Sequence, residues 1–276
     1  MNSLFRDLAP ISSAAWEEID KEATRTLKTT LAARKLVDFS GPHGLASSAV
    51  GTGRSQALPS PRGGGVEARL RHVLPLVELR VPFELPRSEL EAIDRGAKDP
   101  DLDPVIAAAQ KIAQAEDRAV FHGYGEAGIR GICEAAPGTP LTLTRNYEDY
   151  PLSVAAAISR LREAGVDGPY AIALGRECYT GLTETTKGGY PVLQHVRRLL
   201  DGPIIWAPAV DGAVVLSMRG GDFELTVGQD ISVGYLDHTA ETVRLYLQES
   251  FTFQPLSPQA AVPMVYEAKA GRRTKP

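Results

Sequence analysis

The sequence predicts a mixed α+β protein of two lobes, the first discontinuous along the chain, with a long arm outside both. Three observations carry this. Residues 219–235, RGGDFELTVGQDISVGY, hold two alternating runs: Phe223, Leu225 and Val227 against Glu224 and Thr226, then Ile231, Val233 and Tyr235 against Ser232 and Gly234. Period two with a glycine-containing break reads as two half-buried strands joined by a turn or bulge. Residues 40–65 are rich in Gly, Ser and Pro and carry few large apolar groups, so they cannot anchor a core. Residues 131–217 mix short apolar runs with helical spacing, which reads as an α/β lobe inserted before the strands that begin near Arg219.

Taken in order, Ile11 to Leu36 reads as an amphipathic helix. Trp16, Ile19, Ala23, Leu27, Leu31 and Arg34 recur at three- and four-residue spacing, and Ser12 and Ser13 are natural N-caps. The segment 40–65 then predicts an extended arm or long hairpin that finds its order on a neighbouring subunit, because so long a structureless loop fits poorly inside one compact domain. LPLVELRVPFEL, residues 74–85, reads as one strand or two, limited by Pro75 and Pro82. Ser88 to Arg95 is a short helix ended by Gly96. Asp103 can cap and Pro104 open a long helix whose Ala-rich face is Val105, Ala108, Ile112, Ala115, Ala119 and Val120.

Within the inserted lobe, Tyr150–Ala164 and Pro191–Leu200 have helical spacing. Tyr170–Leu174, Ile204–Ala207 and Ala213–Ser217 are short strands. Val243, Leu245 and Leu247 alternate with Arg244, Tyr246 and Gln248 and lead into Phe251 and Phe253, a third strand of the first lobe. VYEAKAGRRTKP after Met264 is a short basic tail.

The totals narrow the function classes. The chain has 276 residues, 43% hydrophobic and 23% charged, with a net charge of -4. That acidic balance counts against bulk nucleic-acid binding. Cys133 and Cys178 have no CxxC spacing, which suits a reduced, cytoplasmic protein. No apolar run approaches the roughly 18 residues of a membrane span, and the start lacks the apolar core of a signal peptide.

A catalytic inventory is missing. The five histidines lie far apart with no HxH or HExxH spacing, so no metal site is expected. Asp99-Pro100-Asp101-Leu102-Asp103 lacks the glycine and later glutamate of a calcium loop. Arg62-Gly63-Gly64-Gly65 is a single RGG fragment in an acidic chain. Gly123 to Gly128, GYGEAG, matches G-x-G-x-x-G, but a helix rather than a strand is predicted before it, so a helix-ending turn is favoured over a cofactor loop. No catalytic residue and no cofactor is assigned.

GGDFELTVGQDISVGY followed by a strand ending in ESFTF resembles the shell proteins of bacterial encapsulin nanocompartments, earlier known as linocin-type bacteriocins. LAPISSAAWEEID, RKLVDFSGPHG, LPLVELRVPFEL, EDRAVFHG and GIRGI look like encapsulin segments in encapsulin order, and the likeness runs from about Met1 to Met264. It implies the fold of tailed-phage major capsid proteins, the Hong Kong 97 type. Its peripheral domain would comprise 1–46, 79–133 and 219–264, its extended loop 47–78 and its axial domain 134–218, with 265–276 as a tail.

The resemblance further implies a shell of about sixty identical copies around a cargo protein. The cargo would be a peroxidase or a ferritin-like protein bearing a C-terminal targeting peptide. In encapsulins the first helix and the late sheet line the interior and form the groove for that peptide. The matching positions are Leu27, Leu31, Arg34, Val37 and Asp38, with Asp230, Ile231, Val233 and Tyr235. Such a slot suits a peptide with alternating apolar anchors, and Arg34, Asp38 and Asp230 would orient it by charge. Leu27 falls where relatives can carry an aromatic. TGLTETTKGGY matches the loop around the fivefold pore, which makes Glu184, Thr185, Thr186 and Lys187 candidate pore-lining groups and gives Gly188 and Gly189 the mobility. The competing readings are a phage capsid protein, whose interior should be basic, and an enzyme, either one using Gly123–Gly128 or an antibacterial protease-like protein.

Overall fold

Ser12 caps the first helix, α1 (Ser13–Thr30), by accepting the amide of Ala15 at 3.1 Å. The computed structural model describes residues 4–61 and 65–266, so Arg62-Gly63-Gly64 and the tail beyond Tyr266 lie outside the described residues. Along α1 the buried stripe is Ala15, Ile19, Ala23, Thr26 and Thr30. The helix ends six residues before the expected Leu36, for two reasons. The hydroxyls of Thr29 and Thr30 both bond back to the Thr26 carbonyl, a local competitor to helix propagation. The amides of Ala32 and Ala33 are then taken by the carboxylate of Asp117 at 2.8–3.1 Å.

The chain continues through β1 (Asp38–Ser40), β2 (Ala49–Leu58), β3 (Ala68–Pro75), β4 (Val77–Pro86), α2 (Arg87–Asp94) and α3 (Asp103–His122). LPLVELRVPFEL is therefore two strands divided at Leu76. At the start of α3 the N-cap position is Leu102, not Asp103; the Asp101 carboxylate just before it accepts the Asp103 amide at 3.0 Å, while Asp103 and Pro104 are already helical. Ala115, expected on the buried face, is exposed. Glu116 and Asp117 are fully buried in its place.

The second lobe contributes α4 (Ile132–Ala135), β5 (Leu141–Leu143), α5 (Tyr150–Glu163), β6 (Tyr170–Leu174), α6 (Arg176–Glu184), β7 (Thr186–Lys187), β8 (Tyr190–Pro191), α7 (Val192–Arg197), β9 (Ile204–Trp206) and β10 (Ala213–Ser217). There follow β11 (Phe223–Val227), β12 (Ser232–His238), β13 (Thr242–Pro255) and β14 (Ala261–Tyr266).

Two sheets organise these strands. In the first, β1, β11, β13 and β12 are successive neighbours and β4 also pairs with β13. The strands β11 and β12 lie end to end along β13, and the break between them is stitched by Gly228 N to Ser250 O and Ser250 N to Gln229 O. This is the alternation broken at Gly228 that the sequence displays. The central strand β13 is buried on both faces over most of its length, Gln248, Ser250 and Thr252 included. The second sheet has the order β5-β14-β10-β6-β9, and β6 and β10 are buried at every position, as strands covered on both faces must be. The last strand β14 joins this second sheet beside β10, so the chain's return to the first lobe ends at Pro255 and does not run on to Met264.

The core is divided accordingly. One cluster packs α1, α2 and α3 against β4, β12 and β13. The other fills the second lobe and continues into Phe223, Leu225, Val227, Phe251 and Phe253. The hairpin β2–β3 has no share in either, since neither strand holds a buried residue.

Candidate functional site

Arg34 stands where α1, α3 and the first sheet meet. Its Nε reaches both oxygens of Glu116 at 2.9 Å, and its Nη atoms reach Glu116 at 2.5 Å, Asp230 at 2.7 Å and Glu249 at 3.1 Å. Glu116 and Glu249 are fully buried, whereas Asp230 is about half exposed. Burial alone would lower the Arg34 pKa; the hydrogen bonds and charges of Glu116 and Asp230 outweigh it and raise the value. Burial raises the Glu249 carboxyl well above the usual range, and the neighbouring Glu116 adds to the rise against the pull of Arg34. Its Oε1 has no hydrogen-bond partner, which a protonated carboxyl tolerates better than a charged one. Asp117, one residue along α3, is pushed up to about 7 by burial, against the lowering effect of the Ala33 and Ala32 amides.

Around this cluster the nine expected groove residues separate into four groups. Leu27, Ile231 and Tyr235 are half-buried and pack on the α1–α3 core, with side chains that still reach solvent. Leu31 and Val233 are 8% and 3% exposed, so they are core members first. Arg34 and Asp230 are joined directly. Val37 packs against the second cluster instead, and the carboxylate of Asp38 is taken by the Gly221 amide at 2.6 Å. Asp38 thus ties β1 to the turn before β11 through one oxygen, and the residue itself stays exposed.

Sequence patterning missed Phe39. It is 41% exposed, and the Arg34 guanidinium sits 5.2 Å from its ring centre, so it extends the apolar wall beside the cluster. The signal was present in β1: alternation puts Phe39 on the face opposite Asp38, a relation that matters only once the strand is known to pair with β11. Glu116 and Glu249 were hidden for a different reason. Nothing in a single sequence marks a glutamate on a helix or strand as buried.

A family model described as "Encapsulating protein for peroxidase" matches residues 1–252. The chain belongs to the encapsulin shell family. A type 1 encapsulin shell protein of Rhodospirillum rubrum is 60% identical over 270 residues, 96% of each chain. One from Mycobacterium tuberculosis is 50% identical over 262 residues, 95% of this chain and 98% of that one. Among solved structures, the virus-like particle from Pyrococcus furiosus superposes with a TM-score of 0.62 at 17% identity, covering 90% of this chain and 98% of that one. A protein of Gordonia phage Cozz gives 0.53 at 14%, over 84% and 85%. At those identities the likeness is one of fold, the capsid-protein fold of tailed phages.

In this encapsulin the expected pore residues form a small hairpin. Glu184 ends α6, Thr185 accepts the Val192 amide, and Thr186–Lys187 pairs with Tyr190–Pro191. Gly188 and Gly189 take φ of 60° and 83°, the left-handed pair that a two-residue hairpin turn demands. The glycines thus form the tight turn that joins β7 to β8. Lys187 is tethered as well, its Nζ donating to the Glu148 carbonyl at 3.0 Å.

The motifs that suggested chemistry have structural partners. Gly123, φ 92°, ends α3, and a short 3-10 turn at Gly125–Ala127 follows. A Cβ on Gly131 would lie 2.2 Å from the Gly123 amide, so the glycines here serve backbone-to-backbone packing. A helix precedes the motif, so the strand-loop-helix setting of a dinucleotide loop is not met. Burial pushes the Cys133 thiol up to about 12, and burial also raises Cys178, whose sulfur lies 3.2 Å from the Tyr150 hydroxyl and 3.3 Å from that of Tyr266. Thiols held in the protonated form are poor nucleophiles. Among the described residues no helix is long and apolar enough to cross a membrane.

Proposed function

We propose that this protein is a shell subunit that assembles with copies of itself into a closed, capsid-like compartment and encloses a cargo protein through a targeting peptide. The observation that carries the assembly is the β2–β3 hairpin. Its strands are ten and eight residues long, neither buries a residue, and Leu58, Leu70 and Val73 are 43%, 54% and 54% exposed. An isolated two-stranded hairpin is marginal in water, and a long exposed strand edge invites pairing with another chain. A neighbouring subunit that covers this arm supplies what the subunit itself lacks, and head-to-tail contacts of that kind close into rings and shells. The cargo assignment rests on the family description, and the half-buried Leu27, Ile231 and Tyr235 beside the Arg34–Asp230 pair suit a short extended peptide.

The hairpin can be removed cleanly. The Leu76 amide donates to the Ser48 carbonyl at 2.9 Å, so the ends of the arm already meet. Replacing residues 49–75 by a Gly-Ser link is expected to leave a folded subunit that elutes at about 27 kDa, while the intact chain gives particles under negative-stain microscopy. Particles from the shortened chain would refute the arm's role, and an intact chain that stayed monomeric at micromolar concentration would refute the compartment.

A further inference from the structure

The segment before α1 lies across both walls of the groove. The Leu4 carbonyl accepts the Tyr235 amide at 2.9 Å, an added backbone bond on the outer edge of β12. Two residues on, Arg6 makes a paired contact with Asp20 of α1 at 2.7 and 3.1 Å, and its guanidinium stacks 4.0 Å from the Trp16 ring centre. Phe5 between them adopts φ 54°, a left-handed conformation that is costly for an aromatic residue. Phe5 and Leu8 are 46% and 68% exposed, so their side chains do little to hold the segment in place. An edge-strand hydrogen bond, the part-buried Arg6–Asp20 pair and the Arg6–Trp16 stack contribute to holding it, and each is a modest tie in water.

α1 and β12 are thus bridged at two places. Arg34 and Asp230 join them past the end of α1, and Leu4 to Arg6 join them near its start. Both bridged elements supply residues of the proposed cargo groove, Leu27 from α1 and Tyr235 from β12.

We infer that residues 4–8 are an internal ligand of this groove, and that a cargo peptide docks by displacing them. This rests on the groove reading above. The displaced segment also describes its replacement. The incoming peptide is extended and offers a backbone carbonyl to the Tyr235 amide. Two residues later it carries a cationic side chain for Asp20 and the Trp16 face, and it brings apolar side chains that bury better than Phe5 and Leu8. β-strand addition supplies the affinity, and the cation reads the register.

The test uses full-length shells reassembled from dissociated subunits in the presence of the probe, a fluorescent synthetic copy of residues 2–10, NSLFRDLAP. In Arg6→Ala shells the internal segment loses its ion pair, so the Tyr235 amide should exchange with deuterium roughly tenfold faster and the probe should bind roughly tenfold more tightly than to wild type. Adding Asp20→Asn, which removes the receptor for the cation, should cancel the gain in probe binding. Equal Tyr235 exchange in the two shells, or probe binding unchanged by Arg6→Ala, would overturn the inference. Co-expressed native cargo separates this failure from that of the groove itself. Cargo lost on Leu27→Asp but not enriched by Arg6→Ala would sink the internal ligand alone, whereas cargo indifferent to both substitutions would sink the groove reading with it.

Discussion

Glu116 and Glu249 face each other across a single guanidinium, both fully buried, with Arg34 as the cation between them. Glu116 comes from the middle of α3 and Glu249 from the middle of β13, so this one contact ties the long helix to the central strand. Two carboxylates and one cation in a dry site leave an excess negative charge, and burial together with the neighbouring Glu116 raises the Glu249 carboxyl toward its neutral form, which relieves it.

Removing the cation should therefore be severe. Arg34→Ala leaves both carboxylates without their partner, and breaking a buried pair in this way costs roughly 3–5 kcal/mol. Glu249→Gln in the same background should restore much of the loss, because the amide removes one charge and keeps the shape. Denaturant melts of the two variants and the wild type check this. If Arg34→Ala melts with the wild type, the cluster is not holding α3 to β13.

Asp117 gives a pH dependence of defined sign. Burial raises its carboxyl to about 7 from an ordinary 3.8. The folded state then binds more protons than the unfolded chain between those values, so this group's contribution is complete below about 4 and is lost as pH rises through about 7. Glu249, raised in the same direction, adds to the slope. Asp117→Asn keeps an acceptor oxygen for the Ala32 and Ala33 amides and removes the titration, so its stability should fall less between pH 5 and 8 than that of the wild type, to be read from denaturation midpoints at each pH. Asp117→Ala should be worse than Asn at every pH, by about 1–3 kcal/mol, since two buried amides lose their acceptor.

These acids also show where sequence reading stops. The strands β11, β12 and β13 were legible because large apolar residues alternate with polar or small ones along them, even where both faces are covered, and β6 because a strand buried at every position is a plain apolar run. The arm was legible from what it lacked. The end of α1 was not, because what stops the helix is Asp117, which lies 85 residues away from Ala32 in the chain. The final crossing of β14 into the second sheet was equally hidden, since its pattern specifies a strand but not a neighbour. Among the groove positions that the resemblance implied, periodicity could not separate Leu31 and Val233, which face the core, from Leu27, Ile231 and Tyr235, which reach solvent.

The β7–β8 hairpin, the candidate pore loop, should be rigid, and a methyl group tests that. Gly189 has φ 83° with nothing within 4 Å of a built Cβ, so Gly189→Ala meets no clash and the whole cost is conformational, about 1–2 kcal/mol. The amides of Lys187 and Tyr190 should exchange faster in this variant, and the melting temperature should fall by no more than a few degrees. Equal exchange would mean that the turn was already open in the native subunit.

Cargo retention should depend on the half-exposed wall of the groove and not on its buried members. Leu31→Asp and Val233→Asp would bury a charge at sites 8% and 3% exposed, so they should lower stability and particle yield together, and lost cargo from them would say little about docking. Leu27→Asp and Ile231→Asp place the charge at the solvent-reaching lip, where the fold tolerates it. Each should give intact particles of wild-type melting temperature with cargo reduced at least several-fold, measured as the cargo-to-shell ratio in purified particles by mass spectrometry. Phe39→Ala, which removes an exposed ring beneath Arg34, should reduce cargo in the same way with little effect on melting. Full cargo in all three variants would mean that the peptide docks on some other face, and would leave the Arg34 cluster as a purely structural joint.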